Sequence, residues 1–203
     1  MGLVSAHFFS WLQGAQFYVD AHSQAVSLLP QGNKETWLDV GCGPGLVTRL
    51  AAQRGYNAIG VDRDQRMIGR AMKLTGQKLS CRFEVGDLTN LNEHYSAEVV
   101  SAASLLFVLR DPEAALHKLW DCVRPGGNLL IVETTEKMTP TYARSVMHQI
   151  PPRRRTALAL WARARNGKAI ATKVYESLPS VSILRTPLLH GMVAAWTFKK
   201  GPA

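Results

Sequence analysis

The chain has 203 residues, of which 46% are hydrophobic and 19% are charged, a composition typical of one ordinary globular domain. It contains no run of about 18 apolar residues, so we expect no membrane-spanning helix, and its first residues lack the basic and apolar segments of a secretory signal. Cys42, Cys81 and Cys122 are widely spaced and match neither a disulfide framework nor a zinc site, which favours free thiols and a cytoplasmic location.

The formal net charge of +9 is distributed unevenly along the chain. Residues 1–139 carry a net charge of −1, whereas residues 140–203 carry +10, with Glu176 as their single acidic residue. The first two thirds therefore have the charge balance of a globular scaffold, and the last third supplies the basic character.

Helical spacing of apolar residues predicts one or two helices within residues 7–29, and Pro30 to Asn33 predicts a turn. Strand and helix patterns then alternate. We predict strands at 36–40, 57–61, 81–85, 98–102 and 128–133, helices at 46–54, 64–74 and 111–122, and a turn at 124–127. This alternation predicts an α/β fold with a doubly wound, mostly parallel sheet, whose ligands bind beyond the carboxyl ends of the strands.

The first of those strand ends runs into WLDVGCGPG, residues 37–45, with three glycines in five positions. Glycines there let a ligand approach the backbone, and the following helix offers unpaired N–H groups. Asp62 ends the second strand, where a carboxylate can accept both hydroxyls of a ribose. Asp87 follows the third strand and can accept a hydrogen bond from an exocyclic amine such as that of adenine. Together these strand ends predict a nucleoside site.

The stretches LDVGCGPG (38–45), VDRD (61–64), GDL (86–88) and RPGG (124–127) resemble the ordered motifs of class I S-adenosylmethionine-dependent methyltransferases, particularly the UbiE and BioC type. The resemblance covers roughly residues 36–133. It implies a Rossmann-like sheet of seven strands with an antiparallel last strand, for which 180–184 and 191–198 supply the final hairpin. A dinucleotide fingerprint would need its third glycine at about position 47, which is Val, so the spacing disfavours NAD.

The resemblance also implies a binding site for S-adenosyl-L-methionine. Asp39 and the glycine turn would hold the methionine portion, Asp62 the ribose, and Asp87 with Leu88 the adenine. The full set of cofactor-binding residues that we predict is Tyr18, Asp39, Gly41, Cys42, Gly43, Gly45, Asp62, Arg63, Met67, Gly86, Asp87, Leu88 and Ala103. Two departures stand out: Glu98 replaces the Asp that usually opens the fourth strand, and residues 103–107 lack the Asn-Pro-Pro-Tyr type motif. The second departure disfavours methylation of DNA adenine or of glutamine.

The acceptor and any general base are left open by the sequence. A base is needed only when the acceptor must lose a proton. The side chains that could serve are Tyr18, His22, Glu133, Tyr142, His148 and His190, and none is assigned a catalytic role. No cluster of carboxylates or histidines has the spacing of metal ligands, so we predict no metal.

We predict one domain over residues 1–203, made of a helical cap (1–35), the cofactor-binding core (36–135), a basic helical cap (139–175) and the hairpin (180–200). A basic helix is predicted within 153–165, with Leu158, Trp161 and Arg165 on one face and Leu160 and Ala164 beside them. It could be a lid over the pocket, which we favour, or residues 153–168 could bind an anionic membrane or the phosphates of RNA or of an acidic carrier.

The predicted function is methyl transfer to a small or lipophilic acceptor. The alternatives are an RNA or carrier-linked methyltransferase, although no nucleic-acid module accompanies the arginines, and a catalytically silent cofactor-binding regulator or partner subunit. The oligomeric state is not predicted.

Overall fold

A seven-stranded sheet flanked by helices organises the chain; the computed structural model describes residues 11–76, 79–91, 95–152 and 155–202. The strands are β1 Thr36–Val40, β2 Asn57–Asp62, β3 Cys81–Val85, β4 Ala97–Ala103, β5 Val123–Thr134, β6 Ser182–Leu188 and β7 Val193–Lys199. The helices are α1 Gln16–Ser27, α2 Leu46–Gln53, α3 Gln65–Leu74, α4 Pro112–Asp121, α5 Pro140–Ser145, α6 Arg155–Arg165 and α7 Thr172–Tyr175. Residues 153 and 154, where the predicted basic helix begins, lie outside the described residues.

The strand order is β3-β2-β1-β4-β5-β7-β6. β1 to β5 are parallel, and β7 runs antiparallel between β5 and β6. This confirms the predicted fold class. Because the chain moves outward from β1 to β3 and then returns to β4, the carboxyl ends of β1 and β4 border the crevice where ligands of such sheets bind.

Two of the predicted helix starts are confirmed in atomic detail. The Asp64 carboxylate accepts the Arg66 backbone N–H at 3.0 Å and caps α3. Asp111 accepts the Ala114 N–H at 2.9 Å, and Pro112 occupies the first turn of α4. Each cap satisfies an N–H group that a helix start otherwise leaves unpaired, and in α4 the proline ring fixes a helical φ.

The core lies on both faces of the sheet. Successive residues of β5 show this alternation: Leu130 and Val132 belong to the apolar cluster that includes α1, α2 and α6, whereas Leu129 and Ile131 pack with α4 and α7. Since side chains alternate across a strand, a strand segment covered on both faces is apolar at every position, as residues 129–132 of β5 are. Among the described residues, no helix is long and apolar enough to cross a membrane.

Two predictions of local structure were wrong. The segment 124–127 is not a turn between elements but a bulge inside β5, where pairing shifts from Ala97–Val123 to Val99–Asn128. The bulge is held from outside because the Gly126 N–H donates to the Gly201 carbonyl at 2.8 Å. The final hairpin is also displaced: β6 and β7 cover 182–188 and 193–199 rather than 180–184 and 191–198. In both places the register of the neighbouring strands, which the local sequence does not encode, sets the boundaries.

Candidate functional site

A cavity of about 430 Å³ opens at the carboxyl ends of β1, β2 and β4. A volume of this size is typical of small-molecule sites. The predicted cofactor residues that line it are Tyr18, Gly41, Gly43, Asp62, Arg63, Met67, Gly86, Asp87, Leu88 and Ala103. The structure therefore brings together residues from five separate segments of the predicted set.

Asp62 is held in place by two backbone hydrogen bonds. One carboxylate oxygen accepts the Gly43 N–H at 2.9 Å, and the other accepts the Asp64 N–H at 2.8 Å. These bonds fix the carboxylate between the glycine turn and the start of α3. Burial raises the pKa of Asp62, and the two backbone N–H groups oppose that shift. A carboxylate held in this way can still accept ligand hydroxyls, because each oxygen has two acceptor positions.

Asp87 lies at the same edge of the sheet but is more exposed. One of its oxygens accepts the Thr89 N–H at 2.8 Å, which caps the short 3-10 turn that follows. This backbone hydrogen bond is the main reason that the pKa of Asp87 lies below its usual value. The carboxylate is therefore ionised at neutral pH beside the apolar wall to which Leu88 belongs.

The three glycines of the turn have different roles. All three have positive φ, at 67° for Gly41, 53° for Gly43 and 78° for Gly45. A Cβ on Gly45 would lie 2.5 Å from Phe83, so this glycine allows helix and strand to pack, and it is not among the described residues that line the main cavity or the small chamber beside the turn. Among the described residues, a Cβ on Gly43 would meet only Gln13, at 3.6 Å, so its backbone faces open space within the cavity. The structure thus separates Gly45 from the predicted ligand-facing set.

Asp39 and Cys42 lie beneath the main cavity rather than in its wall. Both border a second, much smaller chamber next to the glycine turn. The Asp39 carboxylate is buried and accepts the hydroxyls of Thr48 at 2.7 Å and Ser101 at 2.9 Å. Burial raises the pKa of Asp39 to about 6, and these hydroxyl donors oppose the shift. Burial likewise raises the pKa of Cys42 well above its usual value, so this thiol is not a nucleophile.

Tyr18 links the cavity to the basic cap. Its ring stacks on His22 with 4.1 Å between the ring centroids and lies 5.1 Å from the ring of Trp161 in α6. Burial raises the pKa of Tyr18 to about 12, and a hydrogen bond with the Ser104 side chain lowers it by less. Tyr18 is therefore a neutral phenol at physiological pH, which can donate a hydrogen bond but cannot act as a general base.

The described residues of the cap do not form the lid that we favoured from the sequence. The buried residues of α6 include Leu158 and Trp161, and they belong to the same apolar cluster as Phe17 and Tyr18 of α1. None of the described residues in 139–175 lines the main cavity. The apolar face of α6 covers α1 because that helix presents the aromatic surface against which it can pack.

Part of the cavity wall was missed by the sequence reasoning. Residues 105, 108 and 109 line it, and a Cβ on Gly41 would lie 2.8 Å from Leu105. The buried Glu133 carboxylate holds this loop by accepting the Leu106 N–H at 2.7 Å. Burial raises the pKa of Glu133 to about 7, and that N–H is the strongest opposing influence. The apolar run after β4 was the available signal for this wall.

Comparison with known proteins now gives the site its context. Residues 38–131 match the family model described as a methyltransferase domain. The matched segment covers slightly less than half of the chain. This match confirms the resemblance to class I S-adenosylmethionine-dependent methyltransferases that the motifs indicated.

Two curated relatives are similar to half or more of this chain. The trans-aconitate 2-methyltransferase of Deinococcus radiodurans is 34% identical over 108 residues, covering 52% of this chain and 40% of the relative. The 2-methyl-6-phytyl-1,4-hydroquinone methyltransferase of a Synechocystis species is 30% identical over 131 residues, covering 63% and 41%. The chain thus spans well under half the length of either relative.

A solved structure shares the fold over nearly the whole chain. The plantazolicin methyltransferase BpumL, solved with S-adenosylhomocysteine, has a TM-score of 0.65 at 14% identity, covering 97% of this chain and 89% of the other. At this identity the likeness shows the fold alone. S-adenosylhomocysteine is the demethylated form of the cofactor that we predict, so the predicted cofactor class is one that this fold accommodates.

The geometry of the cavity also fits this cofactor. Gly43 presents open backbone to the cavity, and Asp62 is fixed where a ribose edge would lie. Gln13, which the sequence reasoning did not select, places its side-chain oxygen in a buried position with no hydrogen-bond partner among the described residues. An unpaired buried acceptor costs free energy, and a ligand that carries N–H groups would remove that cost.

The remaining candidates for a general base differ in how far they are buried and in their hydrogen bonds. His148 and His190 are exposed, and neither lines the cavity. Tyr142 donates its hydroxyl to the His190 carbonyl at 3.0 Å. His22 is buried, which lowers its pKa to about 4. Within the described ranges, no group of three or more His, Cys, Asp or Glu residues is placed to hold a metal ion.

Proposed function

We propose that this protein transfers the methyl group of S-adenosyl-L-methionine to a small or lipophilic acceptor. The observation that carries the proposal is the cavity at the strand ends, where Asp62, held by the Gly43 and Asp64 N–H groups, faces the same space as Asp87. Adenosine carries donors for both positions, namely its ribose hydroxyls and its exocyclic amine.

The acceptor class is supported by the relatives and by the composition of the site. The names of the two curated relatives specify trans-aconitate, a small acid, and a phytyl hydroquinone, which is lipophilic. The cavity wall beyond the glycine turn includes Leu105, Val108 and Leu109, which suits an apolar portion of cofactor or acceptor. The alignments cover only 40% and 41% of these two relatives, so their acceptors support the proposed class without identifying the acceptor of this chain.

The bound cofactor would supply an electrophilic methyl group on a positively charged sulfur. The task of the chain is then to align acceptor and methyl group and to exclude water. Asp62 fixes the ribose, and the apolar loop held by Glu133 shapes the wall. Tyr18, a neutral phenol packed between His22 and Trp161, provides a rigid donor at the N-terminal side of the cavity. No described histidine lines the cavity, and Asp62 and Asp87 are engaged by the adenosine, which favours an acceptor that arrives already nucleophilic.

Isothermal titration with S-adenosylhomocysteine tests the cofactor part of this proposal. We expect binding by the wild type and a loss of about 100-fold in Asp62→Ala, because two charge-assisted hydrogen bonds are worth roughly 3 kcal/mol together. Asp20→Ala is the matched control, since Asp20 is exposed on α1 and contacts Gln16. Absence of binding by the wild type, or undiminished binding by Asp62→Ala, would contradict the proposal.

The basic last third keeps a second possibility open, namely an acceptor carried on an anionic surface, on RNA or on an acidic carrier. Its support is that Arg163 and Lys168 are exposed while the apolar face of α6 packs inward. Substrate binding that weakens steeply with salt, and loses that dependence in Arg153–Arg155→Ala, would favour this version. A third possibility is a catalytically silent regulatory subunit. It would be favoured if no tested acceptor were methylated by S-adenosylmethionine and if this protein bound another protein tightly.

A further inference from the structure

The apolar wall of the main cavity belongs to the loop of residues 104–109, which contains a short 3-10 turn over Leu106–Val108. The loop begins at Ser104, whose φ of 55° is a left-handed backbone conformation that costs free energy in a residue with a side chain. Leu105, Val108 and Leu109 line the cavity. A short turn with a strained first residue does not hold its own shape, so contacts from other elements must fix this wall.

The first of these contacts comes from Glu133 at the end of β5. Its buried carboxylate accepts the Leu106 N–H at 2.7 Å, and the N–H groups of Leu105 and Phe107 also bond to it. Three successive N–H groups bind an ionised carboxylate more strongly than a protonated one, because the hydrogen bonds are then charge-assisted. The shape of the loop therefore depends on the charge of Glu133.

The second contact comes from the cap, where Arg165 is the last residue of α6. This arginine is 4% exposed, and its guanidinium carbon lies 3.2 Å from the centroid of the Phe107 ring. A cation over an aromatic face is attracted by the ring, and the attraction is stronger where water is excluded. Arg165 therefore contacts, from the side of the cap, the same loop that Glu133 binds.

Arg165 and Glu133 also influence each other's charge. Burial raises the pKa of Glu133 to about 7, and this shift is opposed first by the Leu106 N–H and then by the charge of Arg165. Burial lowers the pKa of Arg165 to about 10, and the charge of Glu133 opposes that shift. The Glu133 charge also acts on Tyr18 of α1 and Tyr175 of α7, but burial raises the pKa of both phenols, so both are neutral. Arg165 thus brings a positive charge that favours the ionised form of Glu133 near neutral pH.

We infer that Arg165 is a positioning residue for the proposed methyl transfer, holding the cavity wall in place through Phe107 and Glu133. This inference rests on the proposed function, because the wall matters only when a cofactor and an acceptor occupy the cavity. Arg165 itself is not among the described residues that line the cavity, so it acts on the bound molecules through the loop. The basic cap thus contributes a buried cation that sets the shape of the wall.

The experiment measures amide hydrogen exchange of the loop and the affinity for S-adenosylhomocysteine, both on the full chain. Arg165→Met removes the positive charge and keeps an apolar stem. We expect the amides of residues 105–107 to exchange about tenfold faster in this variant, because Glu133 becomes protonated and its hydrogen bonds weaken. The affinity for S-adenosylhomocysteine, measured by isothermal titration, should fall about fivefold, because the cavity wall is less ordered before the ligand binds.

Two matched variants and an internal reference separate positioning from a general loss of stability. Arg144→Met, in α5 of the same cap, removes an exposed arginine and should change neither measurement. Arg165→Lys retains a positive charge and should restore most of the exchange protection that Arg165→Met loses. The amides of β1, which is paired on both sides, report unfolding of the whole sheet. In Arg165→Met the loop amides should accelerate about tenfold more than those of β1.

A double-mutant cycle tests the route through Glu133. Glu133→Gln removes the negative charge, so by itself it should also speed exchange of the amides of residues 105–107. Adding Arg165→Met to Glu133→Gln should then have a smaller effect than in the wild type, because the charge on which the arginine acts is already absent.

The inference is overturned if loop and β1 amides accelerate by the same factor in Arg165→Met, if the effects of the two substitutions simply add, or if the affinity for S-adenosylhomocysteine is unchanged in Arg165→Met. These results leave the proposed function standing, because the wild type still binds S-adenosylhomocysteine. Failure of the wild type to bind that ligand would overturn the proposed function and, with it, the role of Arg165 in methyl transfer. The exchange measurements need no ligand, so the two failures are distinguishable.

Discussion

The core and the basic cap contribute to the site in different ways. Every described residue that lines the main cavity lies between positions 13 and 118, and the acids among them stand at strand ends or at the start of the following helix. The cap, residues 139–175, contains arginines and aromatic side chains, and its described residues contact the surroundings of the cavity at two places: Trp161 packs near Tyr18 of α1, and Arg165 lies over the ring of Phe107. The described part of the basic cap therefore packs against residues that border the cavity and does not itself form the cavity wall.

Removing the aromatic contact between cap and α1 should have the largest effect. We expect Trp161→Ala to lower the free energy of unfolding by about 4 kcal/mol, because a fully buried indole is lost and a cavity is left. Urea unfolding measures this change. Affinity for S-adenosylhomocysteine should fall as well, since Tyr18 loses a packing partner.

The control for that variant is Leu160→Ala on the same helix. Leu160 is 50% exposed, so its removal should change stability by less than about 0.5 kcal/mol. If Trp161→Ala loses stability but binds S-adenosylhomocysteine as tightly as the wild type, the contact of Trp161 with α1 has no influence on the site.

Acidification should weaken the fold through His22, on the helix that joins the two regions. Burial lowers its pKa from 6.5 to about 4, so the neutral ring stabilises the fold fully above pH 6.5, and this stability is lost as the pH falls through 4. The loss amounts to about 3 kcal/mol between pH 7 and pH 4. Asp39 and Glu133 act in the opposite direction, since burial raises the pKa of each, and their contributions are lost as the pH rises.

Urea unfolding of the wild type and of His22→Leu across this pH range isolates the histidine, because the carboxylates are common to both proteins. The stability difference between the two should shrink by about 3 kcal/mol on going from pH 7 to pH 4. A difference that stays constant with pH would show that His22 is not held neutral by burial.

The smallest expected effect is the difference in stability between two glycine variants of the core. Gly45→Ala should destabilise the fold by about 3 kcal/mol, because its Cβ would lie 2.5 Å from Phe83 in a left-handed backbone conformation. Gly43→Ala has room for a Cβ and should cost only about 1 kcal/mol of backbone strain. Its methyl group would nevertheless occupy ligand space, so its affinity for S-adenosylhomocysteine should fall at least tenfold.

Unfolding and titration of the two variants side by side give the readout. Equal losses of stability would refute the division between a glycine that faces ligand and a glycine needed for packing.

Much of the core could be predicted because the signals there are local. The caps of α3 and α4 depend on residues within three positions of each other, and the strands of 36–62 alternate with helices at a regular spacing. Asp62 could be placed because the end of a parallel strand fixes where its last side chain stands. Gly45 was grouped with Gly41 and Gly43 because three glycines in a turn look alike until Phe83, from a distant strand, is seen to fill the space beside one of them.

The sequence by itself determined the order of strands and helices and the acids at the strand ends, because periodicity, capping and turn chemistry act over a few residues. Its resemblance to a known family implied the class of cofactor. Only the tertiary structure decided where the basic cap lies, why the 124–127 segment is a bulge, and which buried acceptors share the small chamber. Those outcomes depend on which distant surfaces pack together. In the same way, only the folded structure shows that His22 Nε2 and Gln13 Oε1 are buried without a hydrogen-bond partner among the described residues.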